Sequence, residues 1–407
     1  MPDAERKHAA PLSVVVFVQE NKTTDFYFPT LADWGADVRR GGALLSAAPN
    51  FDQPHDRSAW VHFAMGDYPA VPLQIDNDAL IPFYSWLAKN HVFADHHFGI
   101  GTNSTPGHMM LVGGQAPTLK NPPFGAGGPE WDLPTIFMHA ERAGIDWAAF
   151  PSDQDYPLKF YKELRTAAAK KKIHPSTEFV TLATAGQLPR LVYAWSPGGF
   201  DEHPPSKPDP SYIARGHDLV WQRVDAIVRA GGWDTTVFIL TWDDWGGYAD
   251  HVATPSAELV PDALHPNGFQ AIGGSRIPVI MFGGPVRQAI DNAWRSQASV
   301  PKSIIDLLGL PAFGVPRVDS AASLAHHVSS GLNRPPPPPF GSTVVQPAPP
   351  HPPPMPMPPP PWTGPVNQPM PPLIANGGKT IPAPNDGVVH PKPPVPPPLP
   401  AKDTALQ

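Results

Sequence analysis

The feature that most constrains the fold is an uninterrupted β-branched and aromatic run, residues 235–241, followed almost at once by two carboxylates. Because polar and apolar residues do not alternate, the run is typical of a strand buried on both faces of a parallel sheet. Asp243 and Asp244 then lie where open α/β sheets place their chemistry. Asp and Gly are also common in plain turns. Two neighbouring carboxylates, however, repel each other unless a cation lies between them. With a Gly-Gly turn and an Asp-His pair following, we favour a metal ion.

A second continuous apolar run, residues 12–18, predicts a second buried strand, and it also ends in polar residues. Glu20 and Asn21 follow this strand as Asp243 and Asp244 follow the first. The alternative interpretation is that Glu20 or Asn21 only caps the turn that follows. If the two strands are parallel neighbours, however, their ends bring four oxygen ligands together.

The remaining pattern alternates strands with helices. Strands are predicted at residues 145–150, 191–195 and 277–282, and helices at 81–89, 133–143, 156–172, 212–230 and 299–308. One more helix is expected after Ser104 or Thr105, either of which would be its N-cap, with Pro106 in its first turn. The alternation predicts an α/β fold, a mainly parallel β-sheet flanked by helices on both faces.

Proline usage divides the chain. The sequence has 407 residues and 60 prolines, which crowd into its last part. Residues 331–407 are too poor in aliphatic side chains to form a core, so we expect a disordered or polyproline II tail. Residues 1–10 are expected to be disordered, and residues 11–330 to form one domain.

Composition also narrows the function. The formal net charge is −7 and there is no long basic run, so no nucleic-acid partner is expected. Cysteine is absent, which excludes disulfides and thiolate metal sites. No apolar run is long enough to cross a bilayer and no signal peptide is visible, so the expected location is cytoplasmic by default.

Seven motifs, taken in order, resemble one known family. They are Val-Gln-Glu-Asn21 followed by Asp25-Phe-Tyr-Phe28, Ile81-Pro-Phe-Tyr-Ser-Trp-Leu-Ala88, Asp95-His-His-Phe98, Ser104-Thr-Pro-Gly-His108, Glu202-His-Pro-Pro205, Thr241-Trp-Asp-Asp-Trp-Gly-Gly247 and Asp250-His-Val252. The chain resembles the bacterial phosphoesterase family of phospholipase C and acid phosphatase type, within the alkaline-phosphatase-like superfamily. Members of this family are often exported.

The resemblance implies an alkaline-phosphatase-like core and one divalent metal ion: Mg, Ca, Mn, Zn or Fe. The implied ligands are Glu20, Asn21, Asp243, Asp244 and Ser104. Ser104 matches the family's nucleophile, which would form a phosphoseryl intermediate during hydrolysis of a lipid or small-molecule phosphoester. The implied catalytic residues are Ser104, His55, His203 and His251, the histidines surrounding the phosphoryl group. His97 and His108 are assigned structural roles.

The chain departs from the family pattern at three places. Gly107 stands where the family usually has Asn, Asp244 where it usually has Glu, and the segment 297–303 lacks a usual His. An alternative function is therefore a weakened or inactive member acting as a binding protein, its proline-rich tail docking to a proline-recognising partner. A sulfatase is disfavoured because there is no Cys and no Arg follows Ser104.

Overall fold

The computed structural model describes residues 11–339, apart from gaps at 40–42, 50, 57–58, 61–72, 101–102, 119, 124–127, 208, 253–258, 261–268, 271–273 and 330. The predicted disorder of residues 1–10 and most of the predicted tail, 340–407, lies outside the described residues.

Eleven strands occur in the described part of the chain. They are β1 (Ser13–Gln19), β2 (Val92–Ala94), β3 (His97–Phe98), β4 (Trp147–Phe150), β5 (Leu191–Trp195), β6 (Thr236–Trp242), β7 (Leu259–Val260), β8 (Phe269–Gln270), β9 (Val279–Phe282), β10 (Ala289–Asp291) and β11 (Arg295–Ser296). Seven form one sheet in the order β10-β2-β9-β6-β1-β5-β4. Only β9 runs antiparallel to its neighbours, so the predicted mainly parallel sheet is confirmed.

The same residues contain ten α-helices. They are α1 (Thr24–Tyr27), α2 (Asn77–Leu80), α3 (Pro82–Asn90), α4 (Ser104–Gly113), α5 (Ile136–Arg142), α6 (Ala167–Lys170), α7 (Phe179–Thr184), α8 (Tyr212–Arg229), α9 (Ser299–Leu308) and α10 (Pro316–Asp319). Short 3-10 helices cover Pro29–Trp34, Asp153–Asp155, Leu158–Phe160, Lys162–Arg165, Ser176–Glu178, Trp233–Thr235 and Ala325–His327. None of these helices is both long and apolar enough to span a bilayer.

Strand β1 shows why the sheet needs helices on both faces. Successive side chains of a strand point to opposite sides. Val14, Val16 and Val18 join a core that includes residues of α4 and α9. Val15 and Phe17 join a second core that includes residues of α3 and α8. Each buried side chain of this size contributes about 1.5–3 kcal/mol, so β1 is fixed at the centre of the molecule.

The helix predicted at residues 156–172 is wrong. The segment forms two 3-10 turns and the short helix α6. Its large buried apolar side chains are Tyr156, Leu158, Phe160, Tyr161 and Leu164. This spacing cannot lie on one stripe of an α-helix, so burial favours a chain of turns.

Residues 331–339, assigned to the tail by sequence, contact the body of the protein. The Arg334 amide donates to the Gly284 carbonyl at 2.8 Å. The Trp233 indole in turn donates to the Arg334 carbonyl at 2.7 Å.

Candidate active site

The ends of β1 and β6 form the floor of the candidate site. The two strands are parallel neighbours, with Gln19 beside Trp242. Glu20-Asn21 and Asp243-Asp244 therefore leave the sheet side by side. We call these four residues the strand-end cluster. The backbone amide of Asn21 donates a hydrogen bond to Asp243 Oδ1 at 2.9 Å.

A tight turn beyond Asp244 holds the cluster together. Asn21 has a φ of 67° and Gly246 a φ of 61°, both in the left-handed region. A Cβ on Gly246 would lie 2.4 Å from the Asn21 carbonyl oxygen. Only glycine fits at this point, because the turn after β6 presses against the turn after β1.

Ser104 reaches the cluster from the start of α4. It is the first helical residue, with Asn103 in the N-cap position, so the predicted Ser104 or Thr105 cap is wrong. Because the Ser104 hydroxyl is not used as a cap, it can donate to Asp244 Oδ2, at 3.1 Å. The other oxygen of Asp244 accepts from the Gly246 amide at 2.9 Å.

Gly107 explains how α4 comes so close. A Cβ at this position would lie 2.3 Å from the carbonyl oxygen of Asp243. The helix backbone therefore lies directly against the backbone of the second carboxylate pair. The Asn usual in the family would not fit here without a shift of one of the two segments.

His108 is a member of the site that sequence reasoning missed. Its Nε2 lies 3.5 Å from Glu20 Oε1 and 3.6 Å from Asp243 Oδ2. The indole of Trp195 donates to its Nδ1 at 3.3 Å, so the neutral ring carries its proton on Nε2. A usable signal was present, because His108 lies four residues after Ser104 and thus on the same face of α4.

Burial and charge crowding shift the pKa values here. Burial raises the pKa of Asp244 to about 7, and the charge of Asp243 adds to the rise. Burial also raises the pKa of Asp243, against the influence of His108. Burial alone would lower the pKa of His108, but Asp243 and Glu20 raise it. A cation bound beside these carboxylates would therefore be stabilised by their negative charge.

The cluster has the donors for a hard divalent cation. Asn21 Oδ1 and Asp243 Oδ2 are buried and have no hydrogen-bond partner among the described residues. Ligand atoms of Glu20, His108 and Asp243 lie within 4.8 Å of one another. Carboxylate and amide oxygens suit Mg²⁺, Ca²⁺ or Mn²⁺. The residues fit a cation held by Glu20, Asn21 and Asp243, with Asp244 and Ser104 beside it.

His55 and His203 lie next to the cluster, with ring centroids 5.5 Å apart. His55 Nδ1 contacts the Gln53 carbonyl at 2.6 Å, and its Nε2 lies 3.2 Å from Asn21 Nδ2. Since a carbonyl can only accept, His55 Nδ1 carries the proton, and Nε2 accepts a hydrogen bond from the side-chain amide of Asn21. His55 thus orients Asn21. His203 Nδ1 likewise donates to the Pro204 carbonyl, at 2.8 Å, which leaves Nε2 as its acceptor nitrogen.

His251 has its hydrogen-bond partners in a second group of acidic residues and not in the strand-end cluster. Its Nδ1 lies 2.8 Å from Asp25 Oδ2 and its Nε2 lies 3.1 Å from Asp37 Oδ1. Two carboxylates therefore occupy its two nitrogens. The same group contains Asp250 and the fully buried Arg276, which bonds both Asp25 and Asp250. We call Asp25, Asp37, Asp250, His251 and Arg276 the Asp25 cluster. The catalytic role of His251 stays a prediction.

A serine lies beside buried carboxylates at the carboxyl ends of the central strands. This defines the class: an α/β protein whose candidate site lies where such sheets place their chemistry. The sequence matches the model of the Phosphoesterase family over residues 51–311. The chain belongs to this family.

Similar proteins include plant phospholipases. Non-specific phospholipase C6 of Arabidopsis thaliana is 27% identical over 281 residues, which cover 63% of this chain and 52% of that protein. Non-specific phospholipase C4 of the same plant is 27% identical over 187 residues, covering 43% and 33%. The chain thus spans about half or less of the length of these relatives.

Solved structures that resemble the chain are more remote. A protein in the alkaline phosphatase superfamily from Vibrio parahaemolyticus has a TM-score of 0.39 at 14% identity, covering 76% of this chain and 68% of that one. Murine ectonucleotide pyrophosphatase/phosphodiesterase 5 has a TM-score of 0.42 at 13% identity, covering 74% and 96%.

Proposed function

We propose that this chain is a metal-dependent hydrolase of phosphoric esters that works through a phosphoseryl intermediate at Ser104. The observation that carries the proposal is the Ser104 hydroxyl donating to Asp244 at 3.1 Å, beside buried carboxylate and amide oxygens that lack partners among the described residues. Membership of the Phosphoesterase family supports the same reaction class.

In the first half of the reaction, Ser104 Oγ bonds to phosphorus while the ester P–O bond breaks. Asp244 Oδ2 is placed to accept the hydroxyl proton, because it already accepts the hydrogen bond from Ser104 at 3.1 Å. Glu20, Asn21 and Asp243 would hold the divalent cation, which would supply positive charge to the ionised serine and to the phosphoryl oxygens.

The leaving alcohol takes a proton from His203. Burial would lower the pKa of this ring, but Glu20 and its other neighbours raise it, so a protonated form is available as general acid. In the second half, water attacks the phosphoserine and the P–Oγ bond breaks. The neutral ring of His203 then accepts a proton from that water, and Ser104 regains its own.

The test is turnover of p-nitrophenyl phosphate and of phosphatidylcholine vesicles by the purified chain, after chelation and after return of single metal ions. Ser104→Ala should remove turnover. Ser196→Ala is the matched control, because Ser196 is also a buried serine and lies directly beyond the end of β5.

Full activity of Ser104→Ala would overturn the mechanism. Metal binding without turnover of either ester would favour the alternative, a family member that acts as a binding protein. The resemblance to plant phospholipases C supports the lipid substrate, and the two esters compared in one assay decide between lipid and monoester.

A further inference from the structure

A second buried carboxylate lies behind the strand-end cluster and has no part in the mechanism above. Glu202 is fully buried. Its Oε2 accepts from the Tyr27 hydroxyl at 2.7 Å and the Trp242 indole at 3.0 Å. Its Oε1 accepts from the Tyr84 hydroxyl at 2.9 Å and the Gln19 amide at 3.1 Å. Four donors saturate the four acceptor positions of one carboxylate.

Two of these donors come from the strands that carry the site. Gln19 ends β1 and directly precedes Glu20, while Trp242 ends β6 and directly precedes Asp243. The Glu202 carboxylate therefore ties together the two strand ends from which the cluster projects. Tyr27 and Tyr84 add one bond each from α1 and α3.

Backbone hydrogen bonds at Glu202 and Asp201 connect the loop that carries His203 to the end of β1. Lys22 Nζ donates to the carbonyls of Glu202, at 2.5 Å, and Glu20, at 3.0 Å. The Glu20 amide donates to the Asp201 carbonyl at 2.8 Å. Glu202 has a φ of 68°, a left-handed conformation that costs a non-glycine residue energy and persists where the surroundings enforce it.

Helix α8 packs against this residue from outside. A Cβ on Gly216 would lie 2.3 Å from Glu202 Cγ, so α8 contacts the side chain with no space between. The side chain cannot take another position without moving a helix or both strand ends. The placement of the next residue, His203, depends on this anchor.

We propose that Glu202 is a positioning residue, whose buried carboxylate fixes the distance between the Glu20 and Asp243 strand ends and holds His203 beside them. The inference rests on the proposed function, because it concerns the same site. It assigns to the Glu202-His203 pair two separate tasks: Glu202 sets geometry and His203 meets the substrate. Partners that orient metal ligands from behind typically change metal affinity or activity about 10-fold to 100-fold when removed.

The sharpest test is Tyr84→Phe, which removes one donor to Glu202 and keeps the ring. Tyr193→Phe is the matched control, because Tyr193 is equally buried and its hydroxyl donates to a helix carbonyl, Leu111, at 2.8 Å. The readouts are kcat and KM for p-nitrophenyl phosphate, the Kd for Mn²⁺ by titration calorimetry, and the melting temperature.

We expect both variants to melt a few degrees below the wild type. Tyr84→Phe should in addition lower kcat about 10-fold with little change in KM, and weaken Mn²⁺ binding by a similar factor. Tyr193→Phe should leave kcat and the Mn²⁺ Kd at wild-type values. Equal kcat and equal Mn²⁺ affinity in both variants would overturn the positioning role.

A stronger change, Glu202→Gln, places an amide NH₂ where two donors converge and should lower kcat further than Tyr84→Phe. If it does not fold, the tyrosine pair still decides the matter. The two proposals fail separately. A wild-type protein that hydrolyses no ester sinks the proposed function, whereas the Mn²⁺ comparison still tests Glu202.

Discussion

The Asp25 cluster and the strand-end cluster are both built of buried and half-buried carboxylates, but these carboxylates differ in their partners. In the Asp25 cluster, Arg276 bonds Asp250 at 2.8 Å and Asp25 at 2.9 Å. His251 lies between Asp25 and Asp37. Every carboxylate of that group meets a cationic side chain. Such a fully paired group joins distant segments of the chain.

In the strand-end cluster, no Lys or Arg of the described residues forms an ion pair with a carboxylate, and His108 Nε2 lies 3.5 Å from Glu20 Oε1 and 3.6 Å from Asp243 Oδ2. Asp243 Oδ2 keeps no hydrogen-bond partner among the described residues. Buried carboxylates without compensation cost stability. The difference indicates that one group holds the fold together, while the other is arranged for a charge that comes from outside.

The largest effect should come from Asp243→Asn. The substitution keeps the oxygen that accepts from the Asn21 amide but removes one negative charge. Turnover should fall about 10³-fold or more. Stability to urea without metal should be unchanged or higher, because like charges are relieved.

Added Mn²⁺ makes the same variant more informative. At 100 times its Kd, the ion should raise the unfolding free energy of the wild type by about 2.7 kcal/mol and leave that of Asp243→Asn unchanged. A metal-free variant that is clearly less stable than the wild type would remove the contrast between the clusters.

The opposite behaviour is expected of Arg276→Met. Buried Asp25 and Asp250 would lose their main cation, so the unfolding free energy should fall by about 3–5 kcal/mol. Turnover per folded molecule should change little. Arg215→Met is the matched control, since Arg215 pairs with Asp209 at the surface and should cost at most about 1 kcal/mol. Equal urea midpoints for the two variants would contradict the structural role of Arg276.

Much of the fold could be predicted from the sequence where one rule acts alone. Residues 191–195 and 299–308 form the predicted strand and helix with the same ends, because the first is an uninterrupted apolar run and the second spaces its apolar residues along one face of a helix. Residues 156–172 do not, since their burial is set by surrounding elements and not by local periodicity. Short elements such as α7 and β2 carry too few residues to show a period.

The candidate site also contains residues whose positions the sequence predicts and residues whose positions it does not predict. Glu20, Asn21, Asp243 and Asp244 were visible because the end of a buried strand predicts the position of the residues that follow. His251 follows β6 as well, but a turn with two positive-φ glycines lies between them, and its partner Asp25 is 226 residues away. No sequence pattern shows that pairing. His108 was visible only as the residue one helical turn beyond Ser104.

His251→Gln should show a pH-dependent effect. Burial alone would lower the pKa of His251, but Asp25 and Asp37 hold it at about 10, above the ordinary 6.5. Because the pKa is higher in the folded state than in the unfolded state, protonated His251 contributes its full stabilisation of the fold below pH 6.5. This stabilisation is lost as the pH rises towards 10. The variant should therefore be less stable by roughly 2 kcal/mol at pH 6.5, and the gap should close by pH 10. A gap that is constant across this range in urea titrations would show that His251 is neutral in the fold.

The smallest effect is expected at the contact between α4 and the strand-end cluster. Gly107→Ala adds a methyl group that would lie 2.3 Å from the Asp243 carbonyl, so the helix or the cluster must move, at a cost of about 1 kcal/mol. Gly113→Ala is a close control: its methyl group would lie 2.4 Å from the Pro134 carbonyl, on the same helix but away from the carboxylates. Both should lower the urea midpoint alike, whereas only Gly107→Ala should reduce kcat, by about 10-fold through displacement of Asp243.

Gly107→Asn, which restores the residue usual in the family, should behave like Gly107→Ala and not gain activity. A gain would show that α4 can retreat from Asp243, and that the close approach is not what sets the geometry of the cluster.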